Sequence, residues 1–145
     1  MELQKKGAAV LSQIAIEVNH GEDVSDLIKS MRNVLSRENG AGLAANQVGS
    51  LCRVVLINTS DFVGTVINPV ITKKSDNIVN SKEGCLSFPK KIANVRRSKM
   101  VVLEGFDENW NPIKKKLRGF SAFCAQHEID HLNGITILPN QGDSK

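Results

Sequence analysis

The feature that most constrains this 145-residue chain is a His-Glu-x-x-His pattern at residues 127–131. The sequence predicts a helix over residues 119–132, ended by Asn133 and Gly134. Residues four apart on a helix project from the same face about 5 to 6 Å apart, so two imidazoles can reach one metal ion. His127 and His131 are therefore predicted metal ligands, and the intervening Glu128 is a predicted base.

A third metal ligand is expected upstream of this helix. Catalytic sites normally have three protein ligands and an open position. Only fourteen residues follow His131, their single acid is Asp143, and Ile137 stands where an extended form of the pattern has a third histidine. The best upstream candidate is Cys85 in an extended segment, where a bound metal would keep the thiolate deprotonated.

The other two cysteines are interpreted differently. Cys52 and Cys124 are expected to be small, buried, apolar side chains. Phe120, Phe123 and Cys124 precede His127 by seven, four and three residues, a spacing that places them on the same side of the helix. They are expected either to form the wall of an apolar pocket beside the metal or to belong to the core.

Composition bounds the class of protein. The length fits one domain spanning residues 1–145, and 41% apolar with 23% charged residues is typical of a globular protein without a membrane span. Three cysteines and an N-terminus without an apolar run favour the cytoplasm. The net charge of +4 is interpreted as a solvated surface, and with 4% aromatic residues and no Tyr we expect no specific DNA binding.

Periodicity predicts an α+β fold, with mixed or antiparallel β-sheets packed around the central helix that carries the His-Glu-x-x-His pattern. An amphipathic helix is expected over residues 24–36, capped by Asp23 or Ser25 and ended by Asn39-Gly40. Residues 7–18 fit a short helix or a strand equally well. Strands are expected at residues 53–58, 64–72, 99–105, 113–117 and 135–138, with a hairpin turn at 107–112.

A glycine-rich segment lies at residues 40–49. It lacks the strand and the remaining residues of a phosphate-binding loop, so nucleotide binding is not expected. Small residues allow the backbone to approach a ligand closely, and Gln47 adds a neutral amide donor that could polarise a carbonyl oxygen.

Three segments together resemble the signature motifs of peptide deformylases in order and spacing. They are Gly-Ala-Gly-Leu-Ala-Ala-Asn-Gln at residues 40–47, Glu-Gly-Cys-Leu-Ser at 83–87 and Gln-His-Glu-Ile-Asp-His at 126–131. The resemblance covers about residues 25–138. Ala41 stands where the family often has a larger aliphatic residue, and Asn46 replaces a common Pro or Thr, with no chemical consequence expected.

The resemblance implies removal of the formyl group from the N-terminal formyl-methionine of new polypeptides. Ferrous iron would be held by Cys85, His127 and His131, with Zn or Ni able to replace it during purification. Glu128 would take a proton from the metal-activated water and pass it to the leaving amine. Gln47 and the backbone N–H of Leu86 would stabilise the oxyanion.

The resemblance also implies how substrate and ligands are positioned. The peptide backbone would pair with Ala41, Gly42 and Gly84, while the methionine side chain would enter a pocket near Phe120, Phe123 and Cys124. Glu83 and Arg97 would form an ion pair that braces the Cys85 segment. Asp130 would either orient a ligand imidazole or lie in solvent at the end of the helix.

Partners and source are expectations of the same kind. The substrates would be formylmethionyl nascent chains. The protein would be a monomer in the cytoplasm of a bacterium or a phage-infected host, and it would contact the ribosome transiently. The short C-terminus favours a minimal, phage-encoded form. The competing hypotheses are a zinc peptidase that cuts internal peptide bonds, which the upstream cysteine disfavours, and a structural metal site, which would need a fourth protein ligand.

Overall fold

The computed structural model describes residues 2–5 and 7–137 and consists of two α-helices and seven strands. The helices are α1 (Ser25–Glu38) and α2 (Phe120–Leu132). The strands are β1 (Gly42–Ala44), β2 (Val54–Asn58), β3 (Val63–Lys74), β4 (Ile78–Cys85), β5 (Phe88–Ser98), β6 (Met100–Phe106) and β7 (Pro112–Arg118). Two short 3-10 helices, Ala9–Ser12 and Ala45–Val48, complete the described elements.

The strands form two antiparallel sheets. The larger has the order β1-β2-β3-β6-β7, and the smaller consists of β4 paired with β5. Strand β1 is therefore an edge strand of the larger sheet, and among the described strands β4 pairs only with β5. Within the described residues, the free edges of β1 and β4 are among the strand edges left for other partners.

Helix α2 packs on the inner face of the larger sheet, as predicted for the central helix. Its small or apolar side chains Ala122, Ala125 and Leu132 are fully buried in one cluster with Val55 and Leu103. Burying apolar side chains contributes about 1.5 to 3 kcal/mol for each large residue, so this contact fixes the helix on the sheet. The α+β prediction is confirmed.

Helix α1 forms because its apolar residues repeat at helical spacing. Ile28, Met31 and Val34 are buried against the sheet. At its start the carboxylate of Asp23 accepts a hydrogen bond of 2.9 Å from the backbone N–H of Ser25. At its end Asn39 adopts the left-handed conformation with φ of 54°, which ends the helix as predicted.

The structure corrects the prediction of a strand at residues 135–138. Residues 135–137 are not in a strand, and Leu138 lies outside the described residues. Ile137 is buried in a small cluster with Leu11 and Phe88, so burial in an irregular segment explains its apolar character. The undecided segment 7–18 contains the first 3-10 helix and a single bridge from Ile16 to Cys52.

Three strands were absent from the sequence-based prediction. Strand β1 lies inside the glycine-rich segment and is held by its antiparallel pairing with β2, in which Gly42 is opposite Ile57. Strands β4 and β5 form a long hairpin rich in polar residues. Within the described residues, no helix is both long enough and apolar enough to cross a membrane.

Candidate active site

Three predicted metal ligands converge where β4 meets α2. Cys85 ends β4, and His127 and His131 lie one turn apart on α2, with ring centroids 5.0 Å apart. The Cys85 Sγ atom is 3.2 Å from His131 Nε2. The ligand atoms of the three residues all lie within 4.8 Å of one another.

This donor set fits a small divalent cation. Ligand atoms that are about 2.0 to 2.3 Å from a tetrahedral ion lie about 3.3 to 3.8 Å apart. The separation of 3.2 Å between Cys85 Sγ and His131 Nε2 is close to this range. The Nδ1 atom of His131 is buried without a hydrogen-bond partner among the described residues. Burial, followed by the charges of His127 and Arg97, lowers the pKa of His131, so that its imidazole is neutral and available to a metal.

The other imidazole is oriented by a carboxylate. Glu83 Oε1 lies 3.0 Å from His127 Nδ1, a contact that leaves Nε2 of His127 for the metal. Burial lowers the pKa of His127, but the Glu128 carboxylate and hydrogen bonds to Cys85 and Glu83 outweigh it and raise the pKa to about 10. A metal ion that binds here therefore displaces a proton.

A buried ion-pair network supports Glu83. Arg97 binds it with two hydrogen bonds, Nε to Oε2 at 3.0 Å and Nη2 to Oε1 at 2.9 Å. Arg97 also pairs with Asp130 on α2. Asp130 is thus connected to the His127 imidazole through Arg97 and Glu83, and does not touch that imidazole directly.

Glu128 is buried beside the predicted metal ligands. It is 4% exposed, and its Oε1 atom is buried without a hydrogen-bond partner among the described residues. Burial is the largest effect on this carboxyl, followed by the opposing charge of His127, and the pKa is raised to about 7. A pKa near neutrality is suited to a group that both accepts and returns a proton.

Gly42 allows Glu128 to occupy this position. A Cβ atom at residue 42 would lie 2.6 Å from Glu128 Oε2 and 2.7 Å from Cys124 Sγ, which is closer than such atoms can approach. Cys124 itself is buried, and burial, with smaller effects of Glu128 and Glu83, raises the pKa of its thiol. The raised pKa keeps this thiol protonated, and its side chain belongs to the buried cluster under α2.

Gln47 is held in one orientation by its own turn. Its Oε1 atom accepts a hydrogen bond of 2.9 Å from the backbone N–H of Ala44. Its amide nitrogen therefore points the other way, to Ser87 Oγ at 3.1 Å and Cys85 Sγ at 3.7 Å. An amide donor is thus placed beside a predicted metal ligand.

A cleft with a volume of about 370 Å³ opens over these groups. Its walls include the remaining predicted substrate and oxyanion residues, Ala41, Gly84, Leu86, Phe120 and Phe123. Phe120 is 63% exposed, so it lies at the mouth and not in the core. Cys52 is half-buried and does not line the cleft.

Two residues have structural roles that sequence reasoning missed. Asn46, expected to be without consequence, is fully buried and donates a hydrogen bond to the carbonyl oxygen of His131, tying the Gln47 turn to the ligand helix. Gln126 exchanges two hydrogen bonds with the backbone of Ser98, at 3.0 and 2.8 Å, and so joins α2 to β5. The sequence feature that could have indicated these roles is that Asn46 directly precedes Gln47 and Gln126 directly precedes His127.

Comparison with known proteins gives consistent results. A family model described as Polypeptide deformylase matches residues 1–144. The peptide deformylase 1 of Corynebacterium glutamicum is 41% identical over 142 residues, covering 94% of this chain and 84% of that protein.

Solved structures agree with the sequence relatives. A deformylase from the Vibrio parahaemolyticus bacteriophage VP16T, in complex with actinonin, has a TM-score of 0.93 and 50% identity, covering 94% of this chain and all of that chain. A class I type b peptide deformylase from Acinetobacter baumannii, bound to Met-Ala-Ser, has a TM-score of 0.87 and 30% identity, covering 93% of this chain and 95% of that chain. The chain belongs to the polypeptide deformylase family.

Proposed function

We propose that Cys85, His127 and His131 hold a metal ion and that Glu128 transfers the protons in the reaction of this family. That reaction is the metal-dependent hydrolysis of the N-formyl group from the N-terminal formyl-methionine of new polypeptides, which releases formate. The convergence of one thiolate and two imidazoles beside a buried carboxyl is the observation that supports this assignment.

The metal that we propose is ferrous iron, with Zn or Ni able to replace it in the purified protein. One Cys and two His suit either Fe(II) or Zn, since ligand softness does not separate them. A divalent cation bound there would supply Lewis-acid chemistry, polarising the formyl carbonyl and acidifying a water molecule. Metal analysis of protein prepared under argon tests the choice: about one iron per chain is expected, and zinc alone would contradict it.

Glu128 would act as both base and acid. Its carboxylate would accept a proton from the attacking water and would return it to the leaving amine. The pKa of about 7 supports this cycle, because both protonation states are accessible near neutral pH. The unpartnered Oε1 atom is free to make the required hydrogen bond.

Gln47 and the backbone N–H of Leu86 would stabilise the developing oxyanion. The hydrogen bond from Ala44 fixes the Gln47 side chain, so its amide donor need not reorganise during the reaction. Such preorganised donors typically contribute about 100-fold or more in rate.

The substrate would bind as an added strand between the free edges of β1 and β4. Ala41 and Gly42 lie at the first edge, and Gly84 lies at the second. The methionine side chain would enter the apolar part of the cleft near Phe120, Phe123 and Cys124. The Met-Ala-Ser peptide bound by the Acinetobacter baumannii enzyme has the same chemistry as the expected product.

Formate release from formyl-Met-Ala-Ser by anaerobically prepared protein tests the proposed function. We expect one formate and one Met-Ala-Ser for each substrate consumed, with no cleavage of the Met-Ala bond. The unformylated peptide is the matched control and should be left intact. An iron-loaded protein that releases no formate, or that cuts either peptide, would contradict the assignment.

We further propose that the chain acts as a monomeric, single-domain enzyme in the cytoplasm and meets its substrates during brief ribosome contacts. The exposed Lys114, Lys115 and Lys116 on β7 give this edge of the sheet a positive charge suited to RNA phosphates. Ribosome pelleting should then weaken as salt rises, and a response independent of salt would contradict the contact. Sedimentation measures the molecular mass in solution and so tests whether the chain is a monomer.

A further inference from the structure

One face of the β4–β5 hairpin lies at the mouth of the cleft. Side chains along β4 alternate: Glu83 is buried and contacts His127, whereas Lys82 and Gly84 are exposed on the opposite face. Both Lys82 and Gly84 line the cleft. The outward face of β4 therefore borders the space that the substrate would occupy.

An exposed isoleucine lies beside the gap that Gly84 leaves. A Cβ atom at Gly84 would be 3.5 Å from Ile92 Cδ1, which is ordinary van der Waals contact. Ile92 is 63% exposed, so its methyl groups can contact a side chain placed over Gly84. Large exposed apolar residues beside a ligand cleft favour apolar contact there.

Lys82 is the available cation on the outward face of β4, at the mouth of the cleft. Among the described residues that line the cleft it is the one Lys or Arg, and no ion pair or side-chain hydrogen bond involves it. The lining carboxylates have other roles, since Glu83 is paired with Arg97 and Glu128 lies beside the metal ligands. The positive charge of Lys82 is thus free for a ligand.

Strand geometry determines which substrate residue meets these side chains. Consecutive side chains of an extended peptide point to opposite faces. If the methionine side chain points toward Phe123 and Cys124 on α2, the next side chain points outward, over Gly84. Same-face neighbours on an adjacent strand lie within reach of a long side chain, which brings this residue to Ile92 and Lys82.

We propose that Ile92 and Lys82 select for glutamate as the residue directly after formyl-methionine. The aliphatic part of glutamate would pack on Ile92, and its carboxylate would pair with the Lys82 ammonium. This selectivity rests on the proposed function and adds a substrate preference to it.

The test compares kcat/KM for formyl-Met-Glu-Ser, formyl-Met-Gln-Ser and formyl-Met-Lys-Ser, with formyl-Met-Ala-Ser as the reference substrate. Because exposed ion pairs are weak, we expect a preference for Glu over Gln of about two- to fivefold, and a larger preference for Glu over Lys. The ratio should shrink as salt is raised from about 0.05 to about 0.5 M, since salt screens exposed charges.

Variants of Lys82 and of Ile92, each with a control variant elsewhere in the chain, separate the two contacts. Lys82→Glu should reverse the preference in kcat/KM between the Glu and Lys peptides, and Lys82→Gln should abolish it. Lys116→Glu makes the same charge change on β7, outside the cleft, and should leave this ratio of kcat/KM as in the wild type. Ile92→Ala should lower kcat/KM for the Glu and Gln peptides by a similar factor, and Ile78→Ala, at the far end of the hairpin, should not.

Equal kcat/KM for the Glu and Lys peptides in the wild type would overturn the inference. So would a Lys82→Glu variant that behaves like Lys116→Glu. Turnover of formyl-Met-Ala-Ser in the same assay shows that the proposed function holds even where the selectivity fails. Loss of that turnover in the wild type would instead contradict the proposed function.

Discussion

The two sides of the cleft are built differently. On the inner side, Glu83, Arg97 and Asp130 form a network of charged hydrogen bonds that links β4, β5 and α2. On the outer side, Lys82 and Ile92 are exposed and without such partners. The difference indicates that positions of reacting groups are fixed by buried polar contacts, whereas the rim can change with little cost to the fold.

The largest difference between the two sides should appear in folding stability. Arg97→Met leaves Glu83 and Asp130 without their shared cation, and removing one member of a buried ion pair costs about 3 to 5 kcal/mol. Chemical denaturation measures the loss. Arg96→Met, an exposed neighbour on the same strand, is the control and should change the free energy of unfolding by less than about 0.5 kcal/mol. Equal losses in both variants would show that the inner network does not brace the site.

The next effect concerns catalysis on the inner side. Gln47→Met keeps the approximate side-chain volume but removes the amide donor, so kcat for formyl-Met-Ala-Ser should fall about 100-fold with little change in KM. Steady-state kinetics at matched metal content measures kcat and KM separately. A change confined to KM would assign Gln47 to substrate binding instead.

A smaller effect tests the close approach between β1 and α2. Gly42→Ala places a methyl group within 2.6 Å of Glu128 Oε2, and overpacking of this kind costs about 1 to 3 kcal/mol. Gly84→Ala is the matched control on the outer side, because its nearest neighbour would be 3.5 Å away. Thermal denaturation should rank Gly42→Ala well below Gly84→Ala, and the reverse order would be inconsistent with the described packing.

The smallest effect lies away from both sides, at the end of α1. Asn39 has a positive φ of 54°, so Asn39→Ala should cost under about 1 kcal/mol while Asn39→Gly should not destabilise. Thermal melts of the two variants measure this difference. A more stable Ala variant would contradict the helix end seen here.

The catalytic helix was more predictable from sequence than the strands around it. Helix α2 follows from local signals, because its two histidines lie four residues apart and Asn133-Gly134 marks its end. The hairpin β4–β5 shows no comparable local pattern in its sequence, since its exposed face carries Lys82, Asn94 and Arg96 and few of its side chains are buried. Strand β1 exists through its pairing with β2, which is a nonlocal contact.

The site shows the same division. The three predicted ligands could be chosen from residue types and spacing, and the structure brings the ligand atoms of Cys85, His127 and His131 within 4.8 Å of one another. The roles of Asn46 and Gln126 could not, since each depends on a backbone group distant in sequence, His131 and Ser98 respectively. The link from Asp130 to Glu83 through Arg97 likewise became visible only in the folded structure.

The most direct test of the central claim is formate release by a Glu128→Gln variant with its metal content measured alongside. Gln keeps the shape of the side chain but cannot take the water proton, so release from formyl-Met-Ala-Ser should fall by about 100- to 10,000-fold while the metal content matches that of the wild type. Wild-type rates in this variant would contradict the assignment of Glu128 as the proton-transferring residue, and so would a loss of activity explained entirely by loss of metal.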